Sequence, residues 1–372
     1  MFFDLTAALN VLLQSNTPFV VANQARPGSR YIFNSILPEQ LRQDYHISGG
    51  NMTIRTTMAG LVGMDAPYPP GGAVSSTTFE EQTAKIANDV RLNEQQLRDL
   101  QAMIIRLQAT GGNTNEEIIR TALNFLDKVI VQAHLDTAEW LRGQAITTGA
   151  ISWTYNKKKL EVDYGIPAGN KLTARTGNDG YGGSTSKFWT DLRAGRRLLG
   201  GEVRAWLMHP DTKEMVIAND ANNIEIISEA SDTGAFSIRR IVSRQGNTQL
   251  STDARDRAAF ITYGDEGEIW DLANPGNTTK IPFLPRGVIV GIGNFIANRF
   301  QVGVGSTEPV PQNTLGYTHI APTVEGGGAP GRWARLFTPE GQPWMLAGQG
   351  VTNLLPVIEA PERIVILTTE MV

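Results

Sequence analysis

The chain has 372 residues, 37 acidic and 33 basic, for a net charge of −4; at about 150 residues per domain this predicts two or three domains. Charged residues make up only 19%, and a balance so near zero argues against a protein held mainly to nucleic acid. The absence of cysteine excludes disulfides, zinc–thiolate sites, iron–sulfur clusters and thiol catalysis.

The opening Met1-Phe2-Phe3-Asp4 lacks the basic region of a secretory signal. The longest apolar run, around Val288-Ile289-Val290, is broken by Gly291, Gly293 and Asn294, far short of a membrane span. The sequence therefore reads as a soluble protein made in the cytoplasm. Leu5, Leu9, Leu12 and Leu13 give one apolar face to a short helix, after which Asn16-Thr17-Pro18 and Ala25-Arg26-Pro27-Gly28-Ser29 make an extended segment. Two readings stand for residues 1–46: an arm folded onto its own domain, or one laid across a neighbouring subunit.

Residues 48–79 hold two charges, Arg55 and Asp65. Met52, Ile54, Thr56 and Met58 alternate with Thr53, Arg55 and Thr57, the period of a half-buried strand. Met64 to Gly72, with three prolines, is a broad turn, and a second strand from about Val74 to Ile86 returns. This long hairpin has too little charge for a solvated tongue; it packs either on its own core or on another chain.

Residues 94–110 have a helical face of Leu97, Leu100, Met103, Ile104 and Leu107, ended by Gly111-Gly112. Thr114-Asn115-Glu116-Glu117 has the form of a capping box. The helix it opens has no Gly or Pro before Gly143 and is closed by Gly149, a run of ~30 residues and ~45 Å. Ile118, Ala122, Phe125 and Val129 form one apolar line and Ile119, Leu123, Leu126 and Ile130 another, a stripe wide enough to lie on a sheet. A hairpin follows, Ile151 to Tyr155 and Leu160 to Tyr164, with Lys157-Lys158-Lys159 as a solvated turn. From residue 165 the elements shorten. Ser186 caps a helix through Leu199, ended by Gly200-Gly201, and Asp211-Thr212-Lys213-Glu214 opens another helix by the same logic. Val203–Met208, Arg239–Gln249, Ala258–Tyr263, Gly287–Gly293 and Arg363–Leu367 read as strands. The mixture predicts an α+β or α/β domain.

Chemistry is hard to find. There is no phosphate-binding Gly-x-x-x-x-Gly-Lys-Ser/Thr run, nucleophile elbow or His-Glu-x-x-His. Gly291-Ile292-Gly293 and Gly303-Val304-Gly305 lack the third glycine of a dinucleotide turn and read as close backbone packing. Of the four histidines, 46, 134, 209 and 319, His134 reads as structural and His209 lacks a partner nucleophile. Glu80-Glu81 and Glu116-Glu117 fit a strand face and a helix N-terminus. Arg193, Arg196, Arg197 and Arg204 suit surface ion pairs better than a phosphate site. No catalytic, cofactor-binding or metal-ligating residue is assigned.

The order of features resembles a known family. Ala138-Glu139-Trp140-Leu141-Arg142-Gly143-Gln144-Ala145-Ile146-Thr147-Thr148-Gly149, followed by Leu160-Glu161-Val162-Asp163-Tyr164-Gly165, is similar to the spine helix and hairpin of the Hong Kong 97-type major capsid proteins of tailed double-stranded DNA phages, in particular the lambda-type major head protein family. Ala258–Tyr263 leading to Ile281–Gly287 and Gly291–Asn294 resembles the later sheet, and Leu354–Val357 through Pro361–Leu367 the closing strand. The resemblance implies an α+β capsid fold with an N-terminal arm (1–47), an extended loop (48–90), a peripheral domain (91–164 and 301–351) built on a spine helix at about 115–148, and an axial domain (165–300 and 352–372). It implies a non-enzymatic subunit without cofactor that self-assembles into hexamers and pentamers, an icosahedral shell around the double-stranded genome. DNA would be enclosed without sequence-specific binding, and no membrane is involved. Scaffolding and portal proteins are expected partners, the scaffold separate because the chain starts directly with the arm; whether a decoration protein binds is left open. The location implied is the virion, after assembly in the host cytoplasm. An encapsulin-type compartment shares the fold and is the main alternative, with a soluble α/β enzyme and a tail or baseplate protein behind it.

Overall fold

The computed structural model describes residues 19–21, 31–55, 73–92, 95, 98, 131–155, 158–201, 203–229, 236–245, 249–250, 257–270, 277–293, 315–337 and 346–371. The expected helices over residues 5–13 and 94–110, the capping box at Thr114 and the stripe from Ile118 to Ile130 lie essentially outside these residues. In chain order the elements begin with β1 (Phe19–Val21), α1 (Ile32–Ile36), β2 (Glu39–Leu41), β3 (His46–Arg55), β4 (Ala73–Gln82) and β5 (Ala84–Leu92). Next come α2 (Gln132–Thr148), β6 (Ala150–Tyr155), β7 (Lys158–Asp163), α3 (Phe188–Leu198), β8 (Val203–Met208) and α4 (Pro210–Ala218). The remainder is strand: β9 (Ile224–Glu229), β10 (Phe236–Gln245), β11 (Gln249–Leu250), β12 (Arg257–Tyr263), β13 (Glu266–Trp270), β14 (Thr278–Pro282), β15 (Val288–Gly293), β16 (Gly316–Ala321), β17 (Arg332–Phe337), β18 (Leu346–Ile358) and β19 (Ile364–Thr368).

The first sheet is organised on β18. One edge of that strand pairs with β5 from Leu346↔Leu92 to Leu354↔Ala84. The other edge is shared by β17, from Ala347 to Thr352, and β16, from Asn353 to Ile358. Ala321 pairs with Asn353 and Arg332 with Thr352, so residues 322–331 are extruded between two consecutive rungs of one ladder. β1 and β2 flank β17 and β16. The expected boundary at 351/352 therefore falls inside a single strand.

α2 packs across β18 and presents Ala138, Leu141, Ala145 and Ile146 to the core, each fully buried. Gly149 ends the helix as the sequence implies: at φ 74° it adopts the left-handed conformation glycine favours, and its N–H donates to Ala145 O at 3.1 Å. At Gly143 a Cβ would lie 2.2 Å from Phe283 O, so here the bare helix face lets the 283–287 turn approach. The β6–β7 hairpin pairs Trp153 with Leu160 and places Lys158 and Lys159 in the strand, both exposed.

The second sheet runs β11-β10-β12-β8-β15-β19, with β9 beside β10. Trp206 on β8 is wedged between α3 and β15, where a Cβ on Gly195 or Gly291 would come within 2.9 and 2.5 Å of the indole. The glycines of Gly291-Ile292-Gly293 are thus packing glycines. The expected strands 203–208, 258–263, 287–293 and 363–367 appear within a residue or so, whereas 239–249 begins earlier, at Phe236, and breaks after Gln245. The caps differ in detail. Ser186 Oγ accepts from Phe188 N–H at 3.3 Å, although Lys187 is the N-cap residue. For α4 the cap is His209, whose Nδ1 accepts from Asp211 N–H at 3.2 Å, because Pro210 occupies the first turn and sets Asp211 inside it.

Candidate assembly elements and a buried charge network

β3 and β4 form a two-stranded ribbon of ten residue pairs, from His46↔Gln82 at the root to Arg55↔Ala73. Neither strand pairs with any third strand among the described residues. The sequence reading extended the returning strand to Ile86; the structure breaks it at Thr83, beyond which β5 joins the first sheet and buries Ile86. The segment before the ribbon packs on its own chain. Ile32, Phe33, Leu37 and Ile47 belong to the same apolar cluster as Leu141, Ile146 and Leu354, so for residues 31–47 the self-packed reading holds.

That segment is fastened by charge as well as by apolar contact. Arg142, 1% exposed, donates from Nε to Thr318 Oγ1 (2.7 Å) and from its two terminal nitrogens to Glu139 (3.1 Å) and Glu39 (2.8 Å). Arg332 grips the same Glu39 carboxylate with both terminal nitrogens. Glu139, fully buried, accepts from Phe33 N–H at 2.7 Å and from Tyr263 O–H at 3.2 Å. Thr318 Oγ1 donates onward to Leu37 O at 2.9 Å. One network thus joins α1, β2, the central helix, β16, β17 and β12 of the second sheet. Burial works against the Glu39 carboxylate, but the two guanidiniums outweigh it and hold its pKa at about 2. At Glu139 burial prevails over Arg142 and the two donors and pushes the carboxyl up to about 7.

These two acids make pH effects of opposite sign. Glu139, raised above its ordinary 4.5, favours the folded state most below that value and loses its contribution as pH climbs toward 7. Glu39, depressed to about 2, contributes above 4.5 and loses that contribution on acidification. Replacing Glu139 by Gln is expected to remove a decline on the order of 3 kcal/mol between about pH 4.5 and 8. Urea unfolding across that range checks it, and parallel profiles for wild type and variant would refute it.

The other sequence candidates are dispersed. His46 opens the ribbon and is exposed. His134 is buried on α2 with Nε2 3.0 Å from Asn88 Oδ1, and burial, reinforced by Arg332, lowers its pKa to about 4. His209 caps α4, and burial lowers its pKa too. His319 lies on β16 with Nε2 2.7 Å from Asp44 O. Arg193, Arg197 and Arg204 are exposed on α3 and β8, with Arg196 half-buried. Glu81 lies on the returning ribbon strand, whereas Glu116-Glu117 and Gly303-Val304-Gly305 fall outside the described residues. Among the described residues no group of three or more His, Asp or Glu could hold a metal, and no helix is long and apolar enough to cross a membrane. A groove of about 530 Å³ on the first sheet, lined by Lys85, Asp89, Glu325, Trp333 and Val351, gathers no acid–base–nucleophile set. The residues that sequence reasoning missed are Glu39, Glu139, Arg142 and Arg332. The signal for two of them was present: an acid and a base at i, i+3 on an otherwise apolar helix face.

Residues 50–227 match the model of a family described as phage major capsid protein E. Over the whole of both chains the structure is similar to one assigned as the capsid protein of a prophage of Escherichia coli CFT073, at 12% identity and a TM-score of 0.54. A phage-related protein of Bordetella bronchiseptica RB50 aligns over 92% of each chain at 9% identity and a TM-score of 0.42. A protein of Gordonia phage Cozz aligns over 93% of this chain and 88% of its own at 12% identity and a TM-score of 0.42. No curated protein matches the chain. The α+β fold is that of capsid shell proteins. That family match spans just under half of the chain and, together with the shared fold, makes the chain similar to the phage major capsid proteins.

Proposed function

We propose that the chain forms hexamers and pentamers that close into an icosahedral shell around double-stranded DNA. The β3–β4 ribbon is the extended loop and lies on a neighbouring subunit. The first sheet with α2 and the whole of β18 is the peripheral domain, and the second sheet, with β19 at its edge, is the axial domain. The observation that carries this reading is the ribbon. Ten residues of strand reach roughly 30 Å, and a two-stranded hairpin of that length is marginal in water unless something covers it. A near-neutral chain suits a wall whose DNA is balanced by counterions. Scaffolding and portal proteins act in assembly, which takes place in the host cytoplasm.

Asn51 and Thr77 are paired, so residues 52–76 can be exchanged for Asn-Gly, which closes a short hairpin at that rung. The truncated subunit is expected to keep its circular dichroism spectrum and to form no closed shells by electron microscopy. Normal shells from it would sink the reading. Full-length shells that enclose a protein cargo instead of DNA would mark a compartment and not a virus head.

A further inference from the structure

The ribbon leaves the first sheet through residues 42–45 on one side and Thr83 on the other. This root is stitched to β16. Arg42 N–H donates to Ile320 O at 2.9 Å, and the Arg42 guanidinium lies 4.7 Å from the centre of the Tyr317 ring. Thr83 N–H donates to Tyr45 O at 3.2 Å, tying the two sides together immediately below the first rung, His46↔Gln82. Between these ties lies Asp44, whose carbonyl belongs to neither the β2 ladder nor the ribbon ladder. The group that meets it is His319 Nε2, at 2.7 Å.

His319 is an expensive residue for that position. It sits 2% exposed in the middle of a wholly buried strand, and its Nδ1 has no hydrogen-bond partner among the described residues. A buried polar atom left unpaired destabilises the fold, and an aliphatic side chain would avoid that loss. Since a carbonyl only accepts, the single ring proton is at Nε2 and serves Asp44. The charged groups that act on the ring are Arg42 and Asp44 of the root, and the Tyr317 ring of its own strand lies beside it; burial, helped by Arg42, outweighs the pull of Asp44 and favours the neutral imidazole that makes this bond. The root also has leverage: a swing of about 10° there moves the far end of a roughly 30 Å ribbon by about 5 Å, more than one residue of strand register.

We infer that His319 is the positioning residue of the ribbon: its bond to the Asp44 carbonyl sets the direction in which the ribbon leaves the subunit, and so where it meets the next copy. This rests on the proposed role of the ribbon as the intersubunit element, and the test separates the two. His319→Leu keeps apolar volume but has no donor; His319→Gln places an amide N–H where Nε2 was. In the unassembled subunit, hydrogen exchange at Thr83 is expected to rise about tenfold in His319→Leu, the equivalent of about 1.4 kcal/mol, while the amides of residues 138–146 keep their protection. Under the electron microscope that variant is expected to give open or irregular shells, and His319→Gln to restore both closed shells and slow exchange. His319→Leu with wild-type Thr83 exchange and wild-type closed shells overturns the inference while leaving the ribbon reading intact. Failure of the ribbon reading is seen separately, in normal shells from the truncated ribbon. If His319→Leu does not fold, wild-type exchange decides: a Thr83 amide exchanging at the rate of an unprotected one overturns a fixed root.

Discussion

Substitution of Arg142 by Met is expected to destabilise the subunit by about 3–5 kcal/mol, the range for removing one partner of a buried ion network. Methionine fills much the same volume, so the loss is electrostatic. Glu39 keeps only Arg332, Glu139 loses its sole cationic partner in the network, and Thr318 Oγ1 loses the Nε donor. The prediction has an internal control. Glu139→Gln combined with Arg142→Met removes the acid that the single variant strands, so the pair is expected to be more stable than Arg142→Met alone. Urea unfolding of unassembled subunits at pH 7.5 measures both. A loss below about 1 kcal/mol for Arg142→Met would mean that the network is decorative.

Gly143→Ala is expected to cost about 2 kcal/mol or more, although alanine is the better helix former by about 1 kcal/mol. The obstacle is backbone: the new methyl would sit 2.2 Å from Phe283 O and 3.1 Å from the Phe33 ring, and a carbonyl in the 283–287 turn has no rotamer into which it can retreat. α2 must therefore back away from the turn, loosening its contact with both α1 and the second sheet. Gly169→Ala is the matching control, since a Cβ there meets nothing within 4 Å and its φ is ordinary. Equal melting temperatures for the two variants would show that the helix is not seated as described.

How far the sequence carries is clear from particular elements. Trp206–Met208 at the end of β8 and Ile364–Leu367 of the closing strand are apolar runs entered soon after Gly201 and Pro361, and such runs are legible because every residue in them is buried and the pattern has no alternative. Gly149 was legible because only its backbone freedom ends the helix there. The break at Thr83 was not, since β4 and β5 are both good strand sequences and what divides them is the identity of their partners, β3 and β18. The His209 cap was missed because an imidazole acceptor is an uncommon substitute for Asp or Ser. Of the charge network only the Glu139–Arg142 pair left a local trace; Glu39 and Arg332 join it from two distant stretches of chain, and no local period records that meeting.

The extruded segment 322–331 has a further consequence. It is tied at its neck by Asn353 to Pro322 O and by the Pro322↔Pro330 bridge, and beyond the neck by the Lys85–Glu325 ion pair, while Val324, Gly327 and Gly328 are exposed. Because the rungs on either side of it are consecutive, residues can be gained or lost there without shifting the alignment of a single neighbouring strand. The loop is therefore a natural graft point, where a foreign peptide could be carried while both flanking strands keep their register.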